Sequence, residues 1–189
     1  KAIVAPYVVD SRLCISYLTI ELKGPIPREL RPLIGTRIFG CDDCQDVCPW
    51  NRFAQPSLEK AFYPTPESHS PILMNLIRIT QKEFSEQFRL SPIKRCGYVG
   101  FLRNIAVALG NSGDPKVVSS LEVAIRHPES LVRSHGAWAL GQIGGATARS
   151  VLREASQLES DPTVREEIQF ALTTSSSHPT QGKGTAHLP

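Results

Sequence analysis

A mainly α fold, in which a short cysteine-bearing segment leads into stacked helix pairs, is what the 189-residue sequence predicts. Three observations carry this. From Val99 onward the chain repeats itself: Ala108-Leu-Gly110 and Ala139-Leu-Gly141 are 31 residues apart, and Ala171-Leu172 follows 32 residues later. An aliphatic–arginine pair precedes each of them, as Leu102-Arg103, Val132-Arg133 and Val164-Arg165. Recurrence at a period of roughly 20–50 residues is the mark of a repeat array. Finally, four of the five cysteines, Cys14, Cys41, Cys44 and Cys48, crowd into the stretch that ends at Asn51.

The elements follow in order. Ile3–Val4 and Val8-Val9 suit a short strand, broken by Pro6 and by a turn at Asp10-Ser11. Residues 14–23 suit a short helix or a strand, because Ile15, Leu18 and Ile20 do not settle the period. Gly24-Pro-Ile-Pro27 stops that element, and Glu29–Ile34 reads as a short helix. Residues 52–69, with Pro56, Pro64 and Pro66, read as a surface linker. Ser70-Pro71 then opens a helix over ILMNLIRI, since proline in a first turn forfeits no hydrogen bond. Thr80-Gln-Lys-Glu83 is a capping box for the next helix, where Phe84 and Phe88 share a face.

Within the repeats the expected helices are 99–109, 115–126, 130–142, 146–158 and 162–172. Asp114-Pro115 and Asp161-Pro162 mark two starts, aspartate as N-cap and proline just inside. Val132, Ala139, Leu140 and Ile143 form one apolar stripe, and Val164, Ile168, Ala171 and Leu172 its counterpart. The pattern resembles a HEAT-like α-solenoid. Two and a half units bury little by themselves, so they should lean on the preceding segment. Residues 173–189 lack apolar periodicity and read as a disordered tail.

Bulk properties exclude little. Hydrophobic content of 41% and charged content of 21% are those of a soluble globular protein. No apolar run approaches the ~18–20 residues of a membrane span, and no export signal is visible. A net charge of +3 permits a polyanionic partner without arguing for one. Closely spaced cysteines without an export signal favour metal or redox chemistry in a reducing compartment, which here means a cytoplasmic location.

Cys41-x2-Cys44-x3-Cys48-Pro49 matches the last three ligands of the bacterial ferredoxin run C-x2-C-x2-C-x3-C-P. The first is displaced, with 26 residues between Cys14 and Cys41. In two-cluster ferredoxins the final cysteine ligates the other cluster. By that rule Cys14, Cys41 and Cys44 hold one 4Fe–4S cluster and Cys48 reaches a second. Both are then short of ligands, and the missing thiolates are expected before Lys1. A four-cysteine zinc site is the alternative, although zinc halves usually come as paired C-x2-C; a structural role is the other. Cys96 has no partner spacing and reads as an ordinary free cysteine.

Arg12-Leu-Cys-Ile-Ser-Tyr-Leu-Thr-Ile-Glu21, Gly40-Cys-Asp-Asp-Cys-Gln45 and Cys48-Pro-Trp-Asn51 together resemble the epoxyqueuosine reductases. The likeness continues through Leu102-Arg-Asn104, Ala108-Leu-Gly-Asn111 and Ala137-Trp-Ala-Leu-Gly141. Leu13 stands where arginine is usual. The resemblance implies the C-terminal fragment of an oxidoreductase that reduces epoxyqueuosine in a tRNA anticodon, using cobalamin and two 4Fe–4S clusters. It implies cluster ligation by Cys14, Cys41, Cys44 and Cys48, and cobalamin contacts from Ser16 and the Cys41-Asp42 backbone. The cobalamin domain and the catalytic acid would lie before Lys1, so the fragment alone should be inactive. The partners implied are a tRNA with a queuosine-precursor anticodon and an external electron donor, with the protein a monomer and no membrane involved.

Lys23, Arg103, Arg133 and Arg165 are the candidate tRNA contacts. The three arginines share one repeat position, which suits either a row facing phosphate or pairing inside the solenoid. Charge does not decide, since residues 94–167 carry nine Lys/Arg against eight Asp/Glu. Trp50 and Trp138 sit in apolar settings and read as core rather than as base-stacking groups. His127 reads as a cap and His135 as a packed residue. Asp42, Asp43 and Asp46 would tune a nearby cluster's potential. The expected organisation is therefore a partial two-cluster ferredoxin-like module over 1–55, a helical linker region over 56–98, HEAT-like repeats over 99–172, and the tail. Rival readings are a ferredoxin-like electron-transfer module on a helical scaffold with no substrate of its own, and a zinc-stapled HEAT-like binding protein.

Overall fold

In the computed structural model, which describes residues 2–60, 63 and 71–174, local signals and long-range packing divide the chain between them. Strands β1 (Ile3–Ala5) and β2 (Val8–Val9) form an antiparallel ribbon. Its turn places Tyr7 at a φ of 61°, and its apolar side chains are exposed. A 3-10 turn at Ser11–Leu13 leads to a π-helical turn at Tyr17–Glu21. Then come α1 (Arg31–Ile34), α2 (Asp43–Asp46), a 3-10 turn at Pro49–Phe53, α3 (Leu73–Leu76), α4 (Gln81–Gln87) and a 3-10 turn at Pro92–Cys96. The array proper is α5 (Tyr98–Ser112), α6 (Val118–Ile125), α7 (Ser130–Ile143), α8 (Gly145–Leu158) and α9 (Pro162–Thr174). The fold is mainly α, a small ferredoxin-like segment followed by HEAT-like repeats.

The expected helix starts are used, with two adjustments. Asp161 Oδ1 accepts from the Thr163 and Val164 amides at 2.8 and 3.3 Å. Asp114 accepts from the Lys116 amide at 3.0 Å, but the first turn, Pro115–Val117, is 3-10 and the α-helix starts only at Val118. ILMNLIRI is helical only over Leu73–Leu76. The capping box explains this, because the cap residue Thr80 must be extended (φ −79°, ψ 162°), so the chain has to leave helical geometry before it. Pro71 stays outside that helix, and Ser70 lies outside the described residues. At the other end α9 runs on to Thr174, two residues beyond the expected limit; residues 175–189, most of the expected tail, lie outside the described residues, as do 61–62 and 64–70 of the expected linker.

Helix α7 sits between α5 and α9, and the repeated Ala-Leu-Gly explains how closely they approach. A methyl group added at Gly110 would meet Ala139 at 2.8 Å, and one added at Gly141 would meet Ala171 at 2.7 Å. Each repeat's glycine therefore lies against the next repeat's alanine. The last unit carries Thr173 at this position, where it is exposed.

The preceding segment is locked onto the array by buried polar groups. Arg103 is fully buried. Its guanidinium donates to the carbonyls of Leu18 (2.8 Å), Leu22 (2.7 Å) and Gly24 (2.7 Å) and to Asn104 Oδ1. The Asn104 amide in turn donates to the Thr19 and Ile38 carbonyls, and that of Asn111 to Arg31 and Gly35. Glu167 of α9 takes Arg28 and Arg31 of the segment. Arg31 Nη1 is 3.1 Å from Glu167 Oε1 without hydrogen-bond alignment, and the hydrogen bond of this pair runs from Arg31 Nη2 to Glu167 Oε2 at 3.4 Å.

His135 completes the lock. Its Nε2 accepts from the Ile26 amide at 3.2 Å and its Nδ1 stands 2.8 Å from the Leu131 carbonyl, which assigns the proton to Nδ1. Burial, and then the Arg31 charge, push this imidazole well below the ordinary histidine range. The unfolded chain takes up a proton near pH 6.5 and the folded one does not, so the fold should weaken as pH falls below about 6.5, by up to ~1.4 kcal/mol per unit. His127, also lowered chiefly by burial, adds to the same window. The carboxylates held low by hydrogen bonds, such as Glu159 through Arg133, lose their contribution only at more acidic pH. Urea midpoints should therefore fall between pH 7.5 and pH 5.5, and His135→Leu should be weaker at pH 7.5 but less sensitive to pH. Equal wild-type midpoints at the two pH values would contradict this account.

Candidate functional site

The four clustered cysteines lie on two stretches that the fold ties together. Cys14 directly precedes the turns of the π-helical segment, whose i→i+5 bond runs from the Leu22 amide to the Tyr17 carbonyl at 3.0 Å. Such turns recur at functional positions. Ser16 Oγ accepts from the Cys41 amide at 2.9 Å and donates to the Cys41 carbonyl at 3.1 Å. Thr19 Oγ1 accepts from the Gly40 amide at 2.9 Å. The Gly40–Cys41 backbone is thereby held beside the segment that carries Cys14. Gly40 has a φ of 74°, which lets the chain turn into α2 just where this contact is made.

Cys44 is exposed on α2, while Cys14, Cys41 and Cys48 are half-buried. Around Cys48 the chain closes on itself: the Cys48 amide donates to the Gln45 carbonyl (3.1 Å), and so does Asn51 Nδ2 (2.6 Å). Asp42 is the N-cap of α2 and its backbone carbonyl accepts from Gln45 and Asp46. Trp50, expected in the core, is 80% exposed, because the turn that carries it bonds back to Gln45 and not to the array. Trp138, by contrast, is buried on α7.

The fit to a cluster is partial. The backbone brings two ligand-bearing stretches together, yet among the described residues no three His, Cys, Asp or Glu side chains gather into a group that could hold a metal ion. The expected set of Cys14, Cys41 and Cys44 is therefore not assembled, and neither is a closed four-cysteine zinc site. Of the expected cobalamin contacts, Ser16 is engaged with Cys41 through both its donor and an acceptor site.

The candidate tRNA contacts separate. Arg103 is corrected outright: its guanidinium is sealed under the cysteine segment and bonded to carbonyls, so no phosphate can reach it. Burial pushes its pKa down to about 10, which leaves it charged at neutral pH. Arg133 pairs with Glu159 at 2.7 Å and donates to the His127 and Pro128 carbonyls. Arg165 Nε donates to the Glu159 carbonyl at 2.6 Å, its side chain otherwise on an exposed residue. Arg133 and Arg165 thus each hold the loop that precedes their own helix, while Arg103 holds the cysteine segment. Lys23 is exposed, its ammonium 2.7 Å from the Arg95 carbonyl.

Sequence reasoning missed a groove beside Lys23. It is lined by Arg78, Gln81, the first turn of α5 with Tyr98, and His127, and has a volume of about 780 Å³. His127 Nδ1 accepts from the Glu129 amide at 3.1 Å, so Nε2 carries the proton and faces Tyr98 Oη at 3.4 Å. Tyr98 Oη donates to the Ile79 carbonyl at 3.0 Å. The only sequence signal was that His127 suited a cap.

Comparison with known proteins agrees with this geometry. A model of a 4Fe-4S double cluster binding domain matches residues 1–51, and a model of HEAT repeats matches residues 100–173. The epoxyqueuosine reductase of Escherichia coli (strain K12) is 51% identical over 143 residues, which are 75% of this chain and 37% of that protein. That of Pseudomonas aeruginosa is 50% identical over 144 residues, 76% of this chain and 40% of the relative. Among solved structures, an epoxyqueuosine reductase with an epoxyqueuosine-modified tRNA-Tyr stem loop superposes with a TM-score of 0.87 at 33% identity, over 93% of this chain and 47% of that one. The Bacillus subtilis enzyme gives 0.85 at 33% identity, over 92% and 46%. The chain thus spans less than half the length of these relatives. Among its described residues no helix is long and apolar enough to cross a membrane.

One expectation is overturned. Residues 1–51 match a 4Fe-4S double cluster binding domain, and that match does not support the designation as a C-terminal fragment. What remains is the likeness itself: over about three quarters of its residues, and at about half identity, this chain is similar to the epoxyqueuosine reductases.

Proposed function

We propose that this chain serves in the reduction of epoxyqueuosine to queuosine in tRNA, its cysteine segment supplying 4Fe–4S ligands and its helical array supporting the tRNA. The observation that carries the reading is the close superposition on a reductase solved with a modified tRNA stem loop. The C-x2-C-x3-C-P spacing and the double-cluster match support the ligand roles of Cys14, Cys41, Cys44 and Cys48. Clusters bound there would pass electrons from an external donor toward the reducing centre, for which cobalamin is the proposed cofactor. Ser16 acts on this segment as a positioning residue, holding the Cys41 backbone. The proposed cobalamin contacts besides it are Cys41 and Asp42.

Anaerobic reconstitution of the 189-residue chain with iron and sulfide tests the reading. Bound iron with the charge-transfer absorption of an iron–sulfur cluster is the expected result, and Cys44→Ala should remove most of it, because Cys44 is one of the three ligands proposed for the first cluster while the second draws only Cys48 from this chain. Zinc taken up with no iron would sink the cluster reading, and unchanged iron in the variant would remove Cys44 from the ligands.

A further inference from the structure

The groove between the cysteine segment and the repeats has the chemistry of a nucleotide site. It lies where Ile77–Gln81, the start of α5 and the α6–α7 connection meet, and Lys23, just past the π-helical turn, also lines it. Two cations border it. The Lys23 ammonium is held by the Arg95 carbonyl, and Arg78 Nη2 by the Ser119 carbonyl at 3.0 Å. Neither is in an ion pair among the described residues, so their charges are fixed in place by neutral partners and available to an anion. One acid, Glu129, also lines the groove. The half-buried rings of Tyr98 and His127, with centroids 5.9 Å apart, and Gln81 line the same groove. Aromatic faces flanked by cations, with an amide able to donate and accept, are how proteins hold unstacked bases of single-stranded RNA. A volume of about 780 Å³ is ample for one nucleotide.

A second cleft among the described residues lacks this character. Lined by Arg28, Pro32, Trp138 and Phe170, it is smaller, at about 440 Å³. Its arginine is already paired with Glu166 and Glu167 and covers the Phe170 ring. The repeat arginines are likewise committed, Arg103 and Arg133 to buried or paired positions.

We infer that this groove takes one unstacked nucleotide of the tRNA stem loop, with Lys23 and Arg78 on its phosphates and Tyr98 and His127 against its base. The inference rests on the proposed tRNA function and locates the contact that function needs. It moves that contact from the repeat arginines to the joint between the two parts of the chain. A nucleotide bound there would lie beside the turn that also presents Cys14 and grips Cys41.

Titration of the 189-residue chain with a fluorescent tRNA-Tyr stem loop, at several salt concentrations, tests it. The Lys23→Gln, Arg78→Gln double variant should bind about 10-fold more weakly, and its log–log salt slope should shrink by about 1–2. Tyr98→Leu should lose about 5-fold or more, while Tyr98→Phe, which keeps the ring face, should retain most of the affinity. Both cations are on exposed residues, so the double variant should melt as wild type does. Wild-type binding with unchanged affinity and slope in the double variant would overturn the groove and leave the tRNA function standing. A wild-type chain that binds no stem loop would overturn both.

Discussion

Arg103→Met should be the most damaging single change outside the cysteines, at about 3–5 kcal/mol of folding stability. Methionine fills much of the same volume but donates nothing. The carbonyls of Leu18, Leu22 and Gly24 would be left buried without this donor, and Asn104 would lose the partner of its Oδ1. A buried acceptor stripped of its donor costs ~1–3 kcal/mol, and more where the donor was charged. Arg103→Lys should recover less than half of the loss, because one ammonium cannot span three carbonyls that the guanidinium fork reaches together. Urea midpoints of the two variants against wild type decide the matter. A methionine variant within ~0.5 kcal/mol of wild type would show that the cysteine segment does not depend on this residue.

Gly141→Val should come next, at about 3 kcal/mol or more. The first added carbon would stand 2.7 Å from the Ala171 methyl and 3.0 Å from its Cα, and backbone cannot move aside as a flexible side chain would. Valine adds two methyl groups beyond that, which forces α7 and α9 apart. Gly110→Val should act similarly on α5 and α7, since its added carbon meets the Ala139 backbone at 2.8 Å. Gly24→Ala is the internal comparison: nothing lies within 4 Å of the added carbon and the backbone needs no left-handed φ. Its effect should stay within ~0.5 kcal/mol. Thermal or urea unfolding of the three variants measures this, and equal losses for Gly141→Val and Gly24→Ala would refute the close-packing account of the repeat.

Much of the array was legible because its signals act over a few residues. The Asp161 cap and the Thr80–Glu83 box bond to amides within their own first turns, so the sequence carries both partners side by side. The Ala-Leu-Gly recurrence marked where helices approach, and Gly110 against Ala139 shows the two ends of that spacing in contact. Residues 14–23 were ambiguous for a related reason. Their π-helical turn is stabilised by Arg103 and Asn104, which lie some eighty positions along the chain, so no local period could reveal it. The cysteine pattern was readable as chemistry, since spacing and the following proline point to thiolate ligation, but the thiols of the described chain are not drawn into one set.

The three repeat arginines show best where the division falls. Sequence by itself determined that Arg103, Arg133 and Arg165 are equivalent, together with the helices that carry them, because equivalence and helix formation are properties of a repeating local pattern. It could not assign their partners. Only the tertiary structure decided that Arg103 is buried beneath the cysteine segment, that Arg133 pairs with Glu159, and that Arg165 ties down the loop before its own helix. It also decided that Lys23 and Arg78 border a groove that no motif announces. The physical reason is that a guanidinium's role depends on which dielectric surrounds it and which acceptors reach it. Both are set by segments distant in sequence that pack over it, and a charged side chain on a helix reads the same whether that cover arrives or not.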